Sequence, residues 1–584
     1  MLINLATLQE LIAGEIPERP AVIWRDRVLT YAGLTERTRR LGNAFHALGL
    51  GCRRERAELA PWESGQDHIA VYLYNCPEYL EAMYGAFKAR ATGVNINYRY
   101  KADELLYLLG DSGARAIVYH SAFAPNLAAI RDRLPELRHL IQVADESGEP
   151  LLAGAVAYED FLAAHPAELP ALPYSADDLY VLYTGGTTGM PKGVLWRHED
   201  VFFNGLGGHI PGFPKLESED QLRVHLQLGI GGRALICLPF MHGAGQWNAF
   251  NAFHRGGTVI LPDENRRLDA HAVWRAVERH GADQIAVTGD AIARPLVAAQ
   301  RECTYDLRSL RIVVSTAAVL SRTVKDEILG VLPDGTVLIE SIGGSELGMQ
   351  AMSYDTESGH AGVPAYQLRA GTVLLKADRS GILEPPDGDA PRADATDAAH
   401  GETGWISSAG HLPLGYLGDE QRTRDTFPVV NGTRYAIGGD RGRYLDDGRV
   451  LFLGREAMCI NSGGEKIYAE EVERVVKSCA AVYDALVVGM PSERWGQEVT
   501  AVVALTPGVV ALSIEELRRH CAPQLADYKV PKVLAVAPEI VRSPSGKPDY
   551  EWARQFAADH AAGRLSESAA TRATAPATVR AQPR

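Results

Sequence analysis

Residues 183–193 read Tyr-Thr-Gly-Gly-Thr-Thr-Gly-Met-Pro-Lys-Gly, and this stretch narrows both architecture and chemistry more than any other. Gly185, Gly186 and Gly189 permit positive φ and let bare backbone N–H groups approach an anion. Thr184, Thr187 and Thr188 add hydroxyl donors, and Lys192 adds a mobile positive charge. The expectation is a loop that holds a polyphosphate. Its spacing departs from the Walker A pattern, because Pro191 precedes the lysine and Gly193, not Ser or Thr, follows it. An ordinary P-loop nucleotidase is disfavoured. Apolar runs over 179–184 and 194–196 predict strands on either side, so the loop joins two strands at a sheet end.

Outward from the loop the pattern is α/β. Leu34, Leu41, Phe45 and Leu48 share one face of a helix that stops at Gly49 and Gly51. A strand over 69–73, a helix over 78–90 and a strand over 116–119 follow, interrupted by a charged, proline-containing loop at 53–67. Residues 378–400 are acidic and rich in Pro, Gly and Ala, which predicts a surface excursion, and Asp447-Gly448 between apolar runs predicts a tight hairpin. A boundary is expected at 454–462. Beyond it a helix over 469–479, strands over 485–488 and 499–505, and a helix capped by Ser513 with Glu516 three residues on make a compact unit of about a hundred residues, ordinary for a small domain. From 561 the chain turns Ala/Thr/Ser/Arg/Pro-rich and is expected to be disordered. The expected division is 1–454, 455–560 and a tail, 561–584.

Composition sets limits. A chain of 584 residues exceeds one hydrophobic core, and a net charge of −14 argues against nucleic acid or an acidic membrane as the main partner. An anionic substrate must then be met by local positive groups. Cys52, Cys76, Cys237, Cys303, Cys459, Cys479 and Cys521 show no metal-ligand spacing, which fits a reducing cytoplasm. Residues 1–20 lack a basic start with an apolar core, so no signal peptide is expected, and no apolar run reaches the roughly 18 residues of a transmembrane helix.

The string at 183–193 resembles the phosphate loop of the AMP-forming acyl-CoA synthetase, luciferase and nonribosomal adenylation superfamily, with Gly185 where Ser is commoner. The resemblance runs over about residues 20–555. Leu29-Thr30-Tyr31, the string Asn-Cys-Pro-Glu-Tyr at 75–79 and Val-Asn-Ile-Asn-Tyr-Arg-Tyr at 94–100 look like its scaffold strings. Pro-Phe-Met-His-Gly-Ala-Gly at 239–245 resembles the segment whose His or aromatic sits beside the acyl carboxylate, a role implied for His242; Gly243 stands where amino-acid-activating relatives carry Asp. Ser-Ile-Gly-Gly-Ser-Glu at 341–346 resembles the aromatic-Gly-x-Thr-Glu motif. It implies that Gly344 and Ser345 meet phosphate, that Glu346 supplies the oxygen ligand Mg²⁺ prefers, and that Ile342 replaces the aromatic that stacks on adenine. Tyr-Ala-Ile-Gly-Gly-Asp at 435–440 resembles Tyr-x-Thr-Gly-Asp with Gly438 for Thr, so Asp440 inherits the ribose hydroxyls. Arg455 opens the hinge, although Ala457 and Met458 stand where charged hinge residues are common. Ser-Pro-Ser-Gly-Lys at 543–547 resembles the C-terminal catalytic lysine motif. A carboxylate attacking a negative α-phosphate needs a bridging cation, the part implied for Lys547.

The resemblance implies an α/β fold: a large N-terminal adenylate-forming domain of several sheets and helices with a small mobile α+β domain after it. It implies an acid:CoA ligase whose partners are a small-molecule carboxylic acid, ATP and coenzyme A. Transfer to a carrier protein is the alternative within the superfamily, and the changes at Ile342, Ala457 and Met458 leave open a nucleotide-binding pseudoenzyme. Gly243, Gly245, Gly343 and Gly344 are read as room at the acyl entrance, with Trp247, Phe250 and Phe253 as apolar walls. Thr184-Gly185-Gly186, Cys459-Ile460-Asn461 and the 543–547 string resemble bacterial fatty-acyl-CoA synthetases that include steroid side-chain acid ligases. A medium-to-long, branched or steroid-linked acid is expected.

Overall fold

A computed structural model describes residues 3–184, 190–209, 215–318, 320–355, 365–386, 401–462, 465–542 and 546–564. Two large sheets form the first part of the chain. In one, the strands Val337–Gly344, Ile312–Ser315, Gln284–Val287, Arg233–Ile236, Thr258–Leu261 and Pro20–Trp24 lie parallel in that order. Beyond Val337–Gly344 this sheet continues as antiparallel strands, among them Gly348–Asp355, Thr433–Tyr444 and Val450–Arg455. In the other, Leu179–Thr184, Thr92–Asn95, His68–Tyr72, Ala116–His120 and His139–Val143 run parallel, with Lys192–Arg197 antiparallel beside Leu179–Thr184 and the short strand Gly415–Tyr416 beyond it. Helices cover the faces, as parallel sheets require.

The helix Pro77–Lys88 shows why these sheets hold together. All of its residues are buried, in a core cluster that includes Val71, Tyr180 and Trp196 of one sheet and Val22, Ala234 and Val259 of the other. Its charged residues survive burial because each is paired. Glu81 accepts from Arg37 Nε at 2.8 Å and from Tyr158 at 2.6 Å, and Lys88 pairs with Glu10. The helix Tyr31–Ala47 packs alongside, with Leu34, Leu41 and Phe45 buried as the periodicity predicts.

The charged loop at 53–67 is a strut. Trp62 O accepts from Gly418 N at 2.8 Å, Gln66 donates to Arg90 O at 2.7 Å, and Arg90 ties Glu55 to Asp178 just before the phosphate-loop strand. The hairpin at Asp447-Gly448 is present, with Gly448 at φ 78 between Thr433–Tyr444 and Val450–Arg455. Of the acidic excursion, Ile382–Leu383 adds an edge strand, and 387–400 lie outside the described residues.

The smaller C-terminal domain has its own five-stranded sheet. Val482–Ser492 and Gly496–Leu505 form a hairpin longer than the sequence pattern predicts, since its outer turns carry too few apolar residues to show a period. Ala469–Lys477 and Ile514–Cys521, the latter with the expected Ser513 and Glu516 capping box, pack with Tyr550–Ala561 over a core that runs from Met458 to Ala557. No described helix is long and apolar enough to cross a membrane.

Glu470, on the helix Ala469–Lys477, reaches under the interdomain connection. Its Oε1 accepts from Arg455 N at 3.3 Å, while Oε2 is buried with no hydrogen-bond partner among the described residues. Burial, and then the neighbouring Glu473, push its carboxyl up to about 8 from an ordinary 4.5. A raised folded-state pKa gives stability that is whole below about pH 4.5 and is lost as pH rises through about 8. Urea unfolding of the C-terminal core across that range should therefore weaken with pH in the native protein and change far less in Glu470→Gln. Parallel pH profiles would mean that Glu470 is ionised at neutral pH.

Candidate active site

Leu179–Thr184 and Lys192–Arg197 pair antiparallel from Leu179 opposite Arg197 to Thr184 opposite Lys192, so the expected strands flank the phosphate-loop string and are neighbours. Gly185, Gly186, Thr187, Thr188 and Gly189 themselves lie outside the described residues. Asp111, at the end of the helix Ala102–Asp111, reaches both strands. It accepts from Tyr183 Oη at 2.8 Å and lies 3.7 Å from Lys192 Nζ. Burial draws the Lys192 pKa down, but Asp111 and Tyr107 outweigh it and the ammonium sits above its ordinary value.

A second wall is the loop before the helix Gly243–His254. Asn95 Nδ2 donates to Tyr183 O at 2.8 Å and to Met241 O at 2.7 Å, while its Oδ1 accepts from Tyr183 N at 2.7 Å. Asn75 donates to Leu238 O at 2.9 Å and accepts from Phe240 N at 2.7 Å; Tyr79 Oη donates to Phe240 O at 2.9 Å. These clamps fix His242, the N-cap of that helix. They come from the strings at 75–79 and 94–100, read from sequence as scaffold only. Paired Asn residues in otherwise apolar strings were the available signal, since a buried amide must satisfy both ends. His242 Nε2 is buried with no hydrogen-bond partner among the described residues, and burial, then Lys547 and Arg99, hold the ring neutral with a pKa down to about 3.

The third wall is the turn from Val337–Gly344 to Gly348–Asp355. Trp196 Nε1 donates to Ser345 O at 2.9 Å, and Tyr416 Oη donates to Glu346 Oε1 at 3.1 Å. Among the described residues no group of three or more His, Cys, Asp or Glu is arranged to hold a metal. Glu346 therefore offers one carboxylate, which suits a hard cation that brings phosphate oxygens as its other ligands.

Asp440 and Arg455 face each other across paired strands. Arg455 Nε donates to Asp440 Oδ1 at 3.1 Å, with the Asp440 side chain only 3% exposed, and that carboxylate raises the guanidinium pKa so that Arg455 stays charged. Lys547 follows a turn closed by the bridge between Arg542 and Pro548 and by Arg542 Nη1 donating to Gly546 O at 3.2 Å. Burial lowers the Lys547 pKa, Arg455 lowers it further, and Glu346 opposes both. Lys547 thus acts electrostatically on His242 and feels Arg455 and Glu346, the two groups that also act on Asp440. Ser543, Pro544 and Ser545, and Gly463 and Gly464 of the hinge string, lie outside the described residues.

Several pocket readings need correction. A Cβ on Gly245 would lie 2.4 Å from Pro239 O and one on Gly343 2.2 Å from Gly348 O, so these glycines serve close backbone packing and leave no open space. At Gly243 it would meet Leu182 Cδ2 at 2.7 Å and Ser345 Oγ at 3.6 Å, which places the helix start against both other walls. Only Gly344 is loosely surrounded, its nearest neighbours being Leu347 and Glu346 at 3.4 and 3.5 Å. Phe250 and Phe253 are fully buried among Tyr31, Tyr84 and His254 and belong to the core. Trp247 packs edge-on to Trp196 at 5.8 Å and under Gly205. Ile342 is buried against Ala351 and Tyr366. Ala457 is exposed in a single turn, Glu456–Met458, while Met458 joins the C-terminal core and the hinge charge sits one residue earlier, on Glu456, paired with Lys466 and 3.4 Å from Arg441.

The AMP-binding enzyme family model matches residues 10–374, and the AMP-binding enzyme C-terminal domain model matches 471–547. A medium-chain acyl-CoA ligase of Mycobacterium avium is 46% identical, covering 94% of this chain and 96% of its own length. A 3-oxocholest-4-en-26-oate CoA ligase of Rhodococcus rhodochrous is 38% identical over 95% of this chain and 96% of its own. Among solved structures, an anthranilate CoA ligase bound to anthranoyl-AMP superposes with a TM-score of 0.77 at 22% identity, covering 96% of this chain and 98% of that one. That likeness carries the fold.

The departure at Gly438 has a local cause. A Cβ there would lie 2.3 Å from Leu347 Cδ1, beside Glu346. Gly438→Thr should therefore raise the ATP requirement by displacing Leu347, and adding Leu347→Ala should restore much of the loss. A single Gly438→Thr variant with unchanged or improved ATP affinity would refute the steric account.

Proposed function

Because this chain belongs to the AMP-binding enzyme family, we propose that it is an ATP-dependent carboxylic acid:CoA ligase acting on medium- or long-chain, branched or steroid side-chain acids. The observation that carries the chemistry is that Lys547 lies within electrostatic reach of His242, Arg455 and Glu346, with Arg455 bonded to the buried Asp440. In the first half-reaction a carboxylate oxygen bonds to the α-phosphorus of ATP and pyrophosphate leaves. In the second the CoA sulfur bonds to the acyl carbon, the thiol proton is lost and AMP leaves. Adenylation turns a poor leaving group into a good one.

Roles follow from position and charge. Lys547 bridges the carboxylate and the α-phosphate, where like charges meet and a preorganised cation is worth most. Asp440 accepts from ribose hydroxyls, and Arg455, held by Asp440, spans ribose and phosphate. The segment 184–192, with Thr184, Gly185, Gly186, Thr187, Thr188, Gly189 and Lys192, wraps the β- and γ-phosphates beside Gly344 and Ser345. Neutral His242 lies by the acyl carboxylate, at the start of the helix Gly243–His254. Glu346 would hold Mg²⁺, which would neutralise phosphate charge.

Residues 1–454 form the ATP- and acid-binding domain in this reading, and 455–560 form a lid that turns at the hinge to exchange Lys547 for a CoA-facing surface. Gly454, at φ 130 and against Glu470, supplies a backbone conformation that L side chains rarely adopt. A cytoplasmic location fits its unpaired thiols. Transfer to a carrier protein is not favoured, since the similar proteins are named as CoA ligases.

Two measurements test the assignment. Acid-dependent pyrophosphate exchange should favour octanoate, palmitate or a steroid side-chain acid over acetate and benzoate by at least about a hundredfold in kcat/KM, the scale on which apolar pockets discriminate several methylenes. Preference for acetate or benzoate would overturn the substrate class. Lys547→Ala should lose roughly 10²–10³ or more in adenylation while making thioester normally from supplied acyl-adenylate. Equal loss in both steps would remove Lys547 from its role.

A further inference from the structure

The helix Gly289–Glu302 of the first part of the chain carries a buried carboxylate that the chemistry above does not use. The Asp290 side chain is 3% exposed. Its Oδ1 accepts from Ser321 N at 2.7 Å, but Oδ2 is buried with no hydrogen-bond partner among the described residues. Two cations face it without touching. Arg294, one turn on, is 3.7 Å away, and Lys477 of the C-terminal domain is 4.0 Å away with its side chain 9% exposed.

Lys477 belongs to a network that ends at the catalytic turn. Its Nζ lies 3.2 Å from Asp484 Oδ1. Arg542 binds Asp484 through two hydrogen bonds, Nε to Oδ2 at 2.9 Å and Nη2 to Oδ1 at 2.8 Å, and through its remaining nitrogen donates to Gly546 O. The same helix surface receives the turn itself. Gly546, at φ 78, leaves so little room that a Cβ would stand 3.0 Å from Ala291 Cβ and 3.2 Å from Thr288 Cγ2. Arg294 also lies over the Tyr483 ring at 4.4 Å.

Asp290, Ala291 and Arg294 thus present one face to the C-terminal domain. We propose that Asp290 is a positioning residue: it is the docking point for Lys477, and through the Lys477, Asp484 and Arg542 network it seats Lys547 for adenylation. This rests on the ligase reading. The C-terminal domain does not need Asp290 in order to fold, because Asp484 already satisfies Arg542 bidentately and Lys477 at closer range. Nor does the helix, since an amide oxygen accepts from Ser321 N as well as a carboxylate does. What Asp290 supplies alone is negative charge across the interface, and in a dry interface that charge acts strongly.

Asp290→Asn tests this in two ways. In the half-reactions it should lower kcat for pyrophosphate exchange by about tenfold or more, the scale of a lost charge partner at a buried site, with KM for ATP and acid little changed and thioester formation from supplied acyl-adenylate intact. Combining it with Lys477→Met should add little further loss. Independently of activity, amide hydrogen exchange should quicken in the segments 288–294 and 546–551 and stay unchanged over the core hairpin 482–505. Unchanged exchange in the first two segments overturns the proposal, as does equal loss in both half-reactions with a lower melting temperature, which marks a merely structural residue. If wild-type protein activates no acid, the ligase reading fails and the hydrogen-exchange comparison still decides the docking role.

Discussion

Asn95 donates its two amide hydrogens to Tyr183 O, in the strand leading into the phosphate loop, and to Met241 O, in the loop that follows the strand Arg233–Ile236 of the other sheet. The rest of the cleft depends on this bridge. Two parallel sheets packed through helices have edges that diverge with their twist, and strand ends left alone would carry loops to unrelated places. A buried amide with every donor and acceptor used allows one arrangement, because any displacement strands a polar group in an apolar setting. Asn75 repeats the device at Leu238 and Phe240. The loops before His242 and before the phosphate loop are thus fixed relative to each other.

Charge sets the second constraint. A chain with a net charge of −14 must gather cations locally if it is to bind triphosphate and carboxylate together. Lys192, Arg455 and Lys547 are each balanced differently. Asp111 steadies Lys192, Asp440 keeps Arg455 charged, and Lys547 is held at a lowered pKa, with Glu346 the opposing carboxylate.

What was legible in the sequence were the elements whose period or caps are strong: the helix at Tyr31–Ala47, the strands flanking the phosphate loop, the Ser513 cap and the hairpin at Gly448. The charged and glycine-rich site motifs were also legible as strings, and the structure puts Lys547 within electrostatic reach of His242, Glu346 and Arg455. The pocket walls were not. A glycine is silent about whether it makes room or avoids a clash, and Gly245 and Gly343 avoid clashes with backbone carbonyls. Helical apolar residues are equally silent about which side they face, and Phe250 and Phe253 face the core. The clamps made by Asn75 and Asn95 lay in plain sight but join residues roughly 90 to 165 positions apart, which no local pattern encodes.

The contacts that seat the C-terminal domain on the helix Gly289–Glu302 are of a kind suited to release. A large apolar interface would bind the two parts permanently, because its separation exposes surface that water cannot compensate. Here the close approaches are Asp290 to Lys477, Arg294 over Tyr483, and a glycine turn on Thr288 and Ala291. Each charge keeps a partner within its own unit: Lys477 has Asp484, and Asp290 has Arg294. Separation then leaves no buried charge alone, only a weaker set of pairs re-exposed to water, so the docked state gains from electrostatics without being trapped by it. The lid motion proposed above, which presents Lys547 in one step and withdraws it in the next, calls for that balance.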